Sequence, residues 1–141
     1  MDRPAIIKKI SSYFETKEEV NTVYLFGSIA KGKDREKSDL DLGILFKPGL
    51  NSIERFEKNL AHAVDLEEIF NIPIDVIDLR SADPFFLHQI FLTKIIVLDK
   101  DPSIRVNFEV KSRKAFFDRQ YFYQKYHEQA LKRLERRALH D

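Results

Sequence analysis

Val23-Tyr24-Leu25-Phe26-Gly27-Ser28, then ten residues, then Asp39-Leu40-Asp41-Leu42-Gly43-Ile44-Leu45-Phe46 is the stretch that decides how this chain is read. Thr22 to Phe26 is a short, apolar, β-favouring run and predicts a strand. It stops at Gly27-Ser28. A glycine there lets an anion approach the backbone closely, and the amides and hydroxyl that follow are donors near an expected helix start. Asp39 to Phe46 alternates and then turns fully apolar, which predicts a second strand buried at its far end. Two positions apart on a strand, Asp39 and Asp41 project from one face, with Leu40 and Leu42 on the other. Carboxylates held that close repel each other, and a hard cation such as Mg²⁺ removes the cost while keeping sites for waters and phosphates. A phosphate-accepting turn beside a paired-carboxylate strand therefore describes a metal–triphosphate site.

Working outward, Pro4 to Val20 reads as a first helix, with Ile6, Ile7, Ile10, Tyr13 and Phe14 at three- and four-residue spacing. Pro48-Gly49 closes the second strand. Asn51 or Ser52 can cap a helix to about Phe70, whose expected buried stripe is Ile53, Phe56, Leu60, Ala63, Val64 and Phe70. Ile72 to Leu79 predicts a third strand, Asp83-Pro84 a short helix through Leu92, and Lys94 to Leu98 a fourth strand or extended edge. Asp101-Pro102 opens a long helical segment to about Leu139. The order α-β-β-α-β-α-β-α specifies an α/β or α+β fold with a small sheet. No repeat, low-complexity tract or linker divides it, so a single domain over 1–141 is expected.

With 141 residues, 43% hydrophobic and 33% charged, the chain is long enough to bury a core. The absence of cysteine excludes disulfides, a thiol nucleophile and a Cys-rich zinc site. His62, His88, His127 and His140 lack metal-ligand spacing and are read as surface or core residues with no implied partner. No signal-peptide pattern and no run of roughly 18 apolar residues is present, so a cytoplasmic protein without a membrane span is expected. From Lys111 to Asp141 nine Lys or Arg face four acids, a surplus of five positive charges, which leaves the first 110 residues at −4.

Gly27-Ser28, ten residues and Asp39-Leu40-Asp41 resemble the signature of the polymerase-β-like nucleotidyltransferase superfamily, and the size resembles its minimal nucleotidyltransferase (MNT) branch. The resemblance covers about residues 5 to 100. It implies a small mixed sheet flanked by helices, and transfer of a nucleoside monophosphate from a triphosphate with pyrophosphate leaving. Two metal ions are implied, Mg²⁺ or alternatively Mn²⁺, one activating the attacking oxygen and one steadying the leaving group. Carried over, Gly27 and Ser28 bind the phosphates, and Asp39 and Asp41 ligate metal. Many members have Arg where this chain has Lys31. Lys31 and Lys33 are read either as phosphate-neutralising or as part of a solvated loop, and Arg35 and Lys37 as solvated. The resemblance also implies a third carboxylate on a later strand, where Asp75 and Asp78 face opposite sides. Asp75, between apolar neighbours, is favoured as third ligand and candidate base because an unpaired acid there is costly, whereas Asp78 nearer the strand end is read as solvated. Asp65 is read as an exposed helix charge.

The basic C-terminal segment is punctuated by Phe108, Phe116, Phe117, Tyr121, Phe122, Tyr123 and Tyr126, more rings than so small a sheet can bury. Part of it, within about 102–139, is expected to meet another protein, with direct nucleic-acid contact the weaker reading. The MNT branch resembles the antitoxin half of HEPN/MNT toxin–antitoxin pairs, which implies an adenylyltransferase that moves AMP from ATP to a tyrosine of a HEPN ribonuclease partner. Rival expectations are a nucleotidyltransferase acting on a small molecule, aminoglycoside-like, or on RNA, and a non-catalytic antitoxin that neutralises by contact. A homo-oligomer is the alternative way to complete the acceptor site.

Overall fold

A computed structural model describes residues 2–27 and 39–140, the side chain of His140 excepted. Four α-helices and four strands follow in the expected order among the described residues: α1 (Arg3–Glu15), β1 (Val20–Phe26), β2 (Leu40–Phe46), α2 (Ser52–Phe70), β3 (Ile74–Asp78), α3 (Pro84–Thr93), β4 (Ile95–Asp99) and α4 (Pro102–His140). A 3₁₀ turn, Leu79–Ser81, links β3 to α3. The helix starts are chemical. Asp2 accepts from the Ala5 amide, Asn51 and Glu54 form a reciprocal capping box, and Asp83 accepts from the Phe85 amide. α2 stops at Asn71, whose left-handed backbone (φ 54°) ends the helix. α1 ends at Glu15, short of the expected Val20, because Val20 already pairs with Phe46 in the sheet.

The sheet order is β3-β2-β1-β4, with β2 and β3 parallel and the other pairs antiparallel. This is the small mixed sheet expected, and both of its faces carry side chains into a core. On one face Val23, Leu25, Leu42, Ile44 and Ile74 pack with Ile6, Ile10 and Phe14 of α1 and Leu66 of α2. On the other, Tyr24 and Leu45 pack with Leu79, Leu87 and Ile90. Coverage on both sides is why the central strands are almost continuously apolar. Gly43 is required on the second face, since a Cβ there would meet Leu79 Cδ2 at 2.8 Å.

Of the expected buried stripe of α2, Phe70 packs against the core and Ala63 is partly buried, but the other four residues do not face it. Ile53, Phe56, Leu60 and Val64 are 52–69% exposed. The sheet-facing side is instead Arg55, Asn59, His62 and Leu66. Arg55 pairs with Asp78, Asn59 donates to the Val76 carbonyl, and His62 lies 2.9 Å from both Tyr13 Oη and Glu19 Oε1. A polar helix face is stable against the sheet because nearly every polar group on it is paired. His62 thus has partners that its sequence did not suggest. Its burial pushes its pKa down, more than the Glu19 contact pushes it up.

α4 is a single helix of 39 residues, about 58 Å long at 1.5 Å per residue. Its first half packs on α3, with Phe116 stacked on His88 at 4.0 Å. Beyond that, Phe117, Tyr121, Phe122, Tyr123, Tyr126, Leu131 and Leu134 are all exposed, in keeping with the excess of rings seen in the sequence. No helix among the described residues is long and apolar enough to cross a membrane.

Candidate active site

The site follows from sheet register. In both antiparallel and parallel pairs, directly opposed residues share a face. Phe26 opposes Asp41 across β1 and β2, and Asp41 opposes Asp75 across β2 and β3. Three adjacent strands thus bring Phe26, Asp41 and Asp75 side by side on one face. Asp39, two residues before Asp41, immediately precedes β2. Its charge and that of Asp75 both reach Asp41. The Asp41 carboxyl is held above the ordinary carboxylate range, first by burial and then by the charges of Asp75 and Asp39.

Gly27 completes the cluster. Its φ is +79°, a conformation L side chains rarely adopt, and a Cβ built on it would lie 2.2 Å from Asp41 Oδ2. Any side chain at 27 would have to displace the carboxylate. The turn that ends β1 is therefore in direct contact with the acid on β2, as the spacing of the two sequence pieces requires. Ser28, Lys31, Lys33, Arg35 and Lys37 lie outside the described residues.

Asp75 joins Asp41 for a reason other than the one anticipated. Asp75 is exposed, so burial cost does not single it out. Asp78 carries the burial instead. Its side chain is 11% exposed, accepts from Arg55 Nε at 2.8 Å and from Ser81 Oγ, and caps the 3₁₀ turn through the Arg80 amide. It is committed to structure and is not solvated. Asp65 accepts from the Tyr13 hydroxyl at 2.7 Å, on the far side of the sheet from Asp41.

Among the described residues no three acidic or histidine side chains stand close enough together to hold a metal ion as they are. The chemistry of the donor set still fits one. Acids gather around Asp41, no ion pair among the described residues neutralises them, and the partly buried member pays for its neighbours' charge. Asp39 and Asp75 are both exposed, with room to turn toward a shared ligand. What sequence reasoning missed is the aromatic rim. Phe26 is partly buried beside Asp41, and Phe86 of α3 packs edge-on against it, ring centroids 6.1 Å apart. The signal lay in the strand itself, since Phe26 is the last residue before the glycine turn.

Residues 8–103 match the family described as Polymerase beta, Nucleotidyltransferase. The protein adenylyltransferase MntA of Shewanella oneidensis is 36% identical over 70 residues, which span 48% of this chain and 46% of that protein. The match thus covers about half of that relative's length. Among solved structures, a toxin–antitoxin crystal structure with AMP-PNP superposes with a TM-score of 0.69 at 24% identity, covering 89% of this chain and 98% of that one. A complex of tri-AMPylated Shewanella oneidensis HEPN toxin with MNT antitoxin gives 0.67 at 22% identity, covering 91% and 98%. At these identities the two structures show the shared fold.

Proposed function

Because the chain belongs to the polymerase-beta nucleotidyltransferase family, we propose that it is an antitoxin enzyme that transfers AMP from ATP to a tyrosine of a HEPN-type toxin. One observation carries the assignment of the site: Gly27, in a left-handed turn, abuts the carboxylate of Asp41, which stands in register with Asp75. The relative's adenylyltransferase name and the HEPN complex among the fold neighbours support the choice of donor and acceptor.

Asp39, Asp41 and Asp75 would hold divalent metal, Mg²⁺ in the first instance and two ions in full occupancy. When bound, the metal supplies positive charge against the triphosphate and lowers the barrier to attack at phosphorus. The remaining work falls to the chain. Gly27 admits phosphate oxygens to the strand end, and Ser28, with Lys31 and Lys33, donates to them. The tyrosine hydroxyl oxygen forms the new bond to the α-phosphorus, the bond to the bridging β-phosphate oxygen breaks, and pyrophosphate leaves. Asp75, the most accessible acid on the strand, takes the hydroxyl proton. A catalytic core over 5–100 and a partner-binding segment over 102–139 act as one unit of 1–141. The exposed rings of α4 and the exposed stripe of α2 are the apolar surfaces available to the partner, since patches of that kind mark interfaces.

Incubation with ATP, Mg²⁺ and the HEPN protein encoded nearby should give a tyrosine-linked AMP adduct by mass spectrometry. It should vanish in the Asp39→Ala, Asp41→Ala double variant. Neutralisation of the toxin that survives that double substitution would replace the enzymatic reading with one of binding alone. Label found only on a small molecule or RNA would replace the acceptor.

A further inference from the structure

A second charged feature lies at the opposite end of β2 from Asp41. Arg80, in the 3₁₀ turn, donates from Nε to the carbonyl of Phe46, the last residue of β2, at 2.8 Å. Its guanidinium also lies over the Phe108 ring of α4, 5.9 Å from the centroid. The group is therefore fixed on two sides. It lines a groove of about 530 Å³ between that turn and α4, floored by Pro48, Ile104 and Phe108 and edged by Asn107 and Lys111. Ile104, Asn107, Phe108 and Lys111 recur at three- and four-residue spacing and so share one helix face.

What the arginine lacks is an anion. Among the described residues no carboxylate forms an ion pair with it, and its side-chain hydrogen bond to Phe46 uses Nε. Asp78, whose charge reaches Arg80, is already engaged by Arg55, Ser81 and the Arg80 amide. Burial and the neighbouring Arg55 charge push the Arg80 pKa down, more than the Asp78 charge pushes it up. A partly desolvated cation whose neighbouring acid is already shared with Arg55 carries a cost that a bound anion would lower. The two terminal amino groups of a guanidinium held this way form a fork suited to an oxyanion, without further ordering of the side chain. Lys111 and Asn107 add a second charge and an amide from the other wall, and no acid lines the groove.

We propose that this groove is an oxyanion site, distinct from the carboxylate cluster, that takes the phosphate of a phosphomonoester whose body rests on Phe108 and Ile104. Donors from two walls suit a tetrahedral dianion better than a planar carboxylate, and the apolar floor suits an organic group attached to it. The inference does not depend on adenylyl transfer, since neither Asp41 nor Gly27 contributes to the groove.

The full-length chain is titrated with AMP and, separately, with inorganic phosphate, in EDTA. Binding is read by calorimetry and by ¹⁵N shifts of the Arg80 side chain. AMP should bind more tightly than phosphate. Lys111→Glu, at an exposed position, should weaken both by about tenfold or more, the value of one charge-assisted hydrogen bond. Arg80→Lys keeps the charge but loses the fork and should weaken AMP further. Affinity that is the same in the Lys111→Glu and Arg80→Lys chains as in the wild type overturns the site. So does the absence of any binding. AMP binding no tighter than phosphate overturns the role given to the apolar floor.

Discussion

One face of the sheet treats its charges in two opposite ways. Over Tyr24, Glu109 on α4 accepts from the Tyr24 hydroxyl at 2.7 Å and pairs with Lys94 and with Arg105, which also holds Asp99 at 2.8 Å. Every acid there has a base. Burial pushes the Glu109 pKa up, but the bonds from Lys94 and Tyr24 and the charges of Lys94 and Arg105 outweigh it, leaving the group below its ordinary value. Two residues further along β1, at Phe26, the neighbouring acids are Asp41, Asp75 and Asp39, and Asp41 is shifted the other way. The paired cluster fastens α4 to the sheet. The unpaired one stores repulsion that a bound cation would relieve. Charge that folding leaves uncompensated thus sets the proposed working end apart from the structural one.

The largest effect that could break this contrast is on turnover. Asp41→Asn should lower adenylyl transfer by on the order of 10²–10³-fold or more, the scale of losing one key electrostatic group. The same variant should be more stable than wild type by about 0.5–2 kcal/mol, and so unfold at a higher temperature, because repulsion has been removed. A calorimetric scan beside the activity assay tests both. A destabilised Asp41→Asn chain would mean that Asp41 is structural and that the two ends are alike.

Next in size is the paired end. Glu109→Ala strands Lys94 and the Tyr24 hydroxyl, leaves Arg105 with Asp99 alone, and should cost roughly 3–5 kcal/mol in denaturant unfolding. The sign with pH follows from the lowered pKa. Stability from Glu109 is fully present above its ordinary carboxylate value and is lost as pH falls through the folded value. Wild type should therefore lose stability on acidification more steeply than Glu109→Gln.

The smallest effect is expected on the outer face of α2. Phe56→Ser, at a position 67% exposed, should change the stability of the isolated chain by no more than about 0.5 kcal/mol. A loss of several kcal/mol would restore the buried stripe that the apolar spacing suggested.

That stripe shows where reading the sequence ran out. Apolar residues at helical spacing announce a face that wants cover, but they do not say whether the sheet or another molecule supplies it. In α2 the sheet took the polar side because Arg55, Asn59 and His62 each found a partner on another element, contacts between residues 17 to 49 positions apart in the chain. The choice between Asp75 and Asp78 ran out in the same way. Alternation gave opposite faces correctly, but burial fell on Asp78 because Arg55 crosses to it from α2.

The chain's own order of residues determined the elements, their caps, the turn at Gly27 and the place of Asp41 near the start of β2, since dihedral preference and side-chain alternation act over a few neighbours. Only the folded arrangement decided which charges are neutralised and which are not. Strand register set Asp75 beside Asp41, and packing gave Glu109 and Asp78 their bases, because Coulomb interaction depends on distance in space.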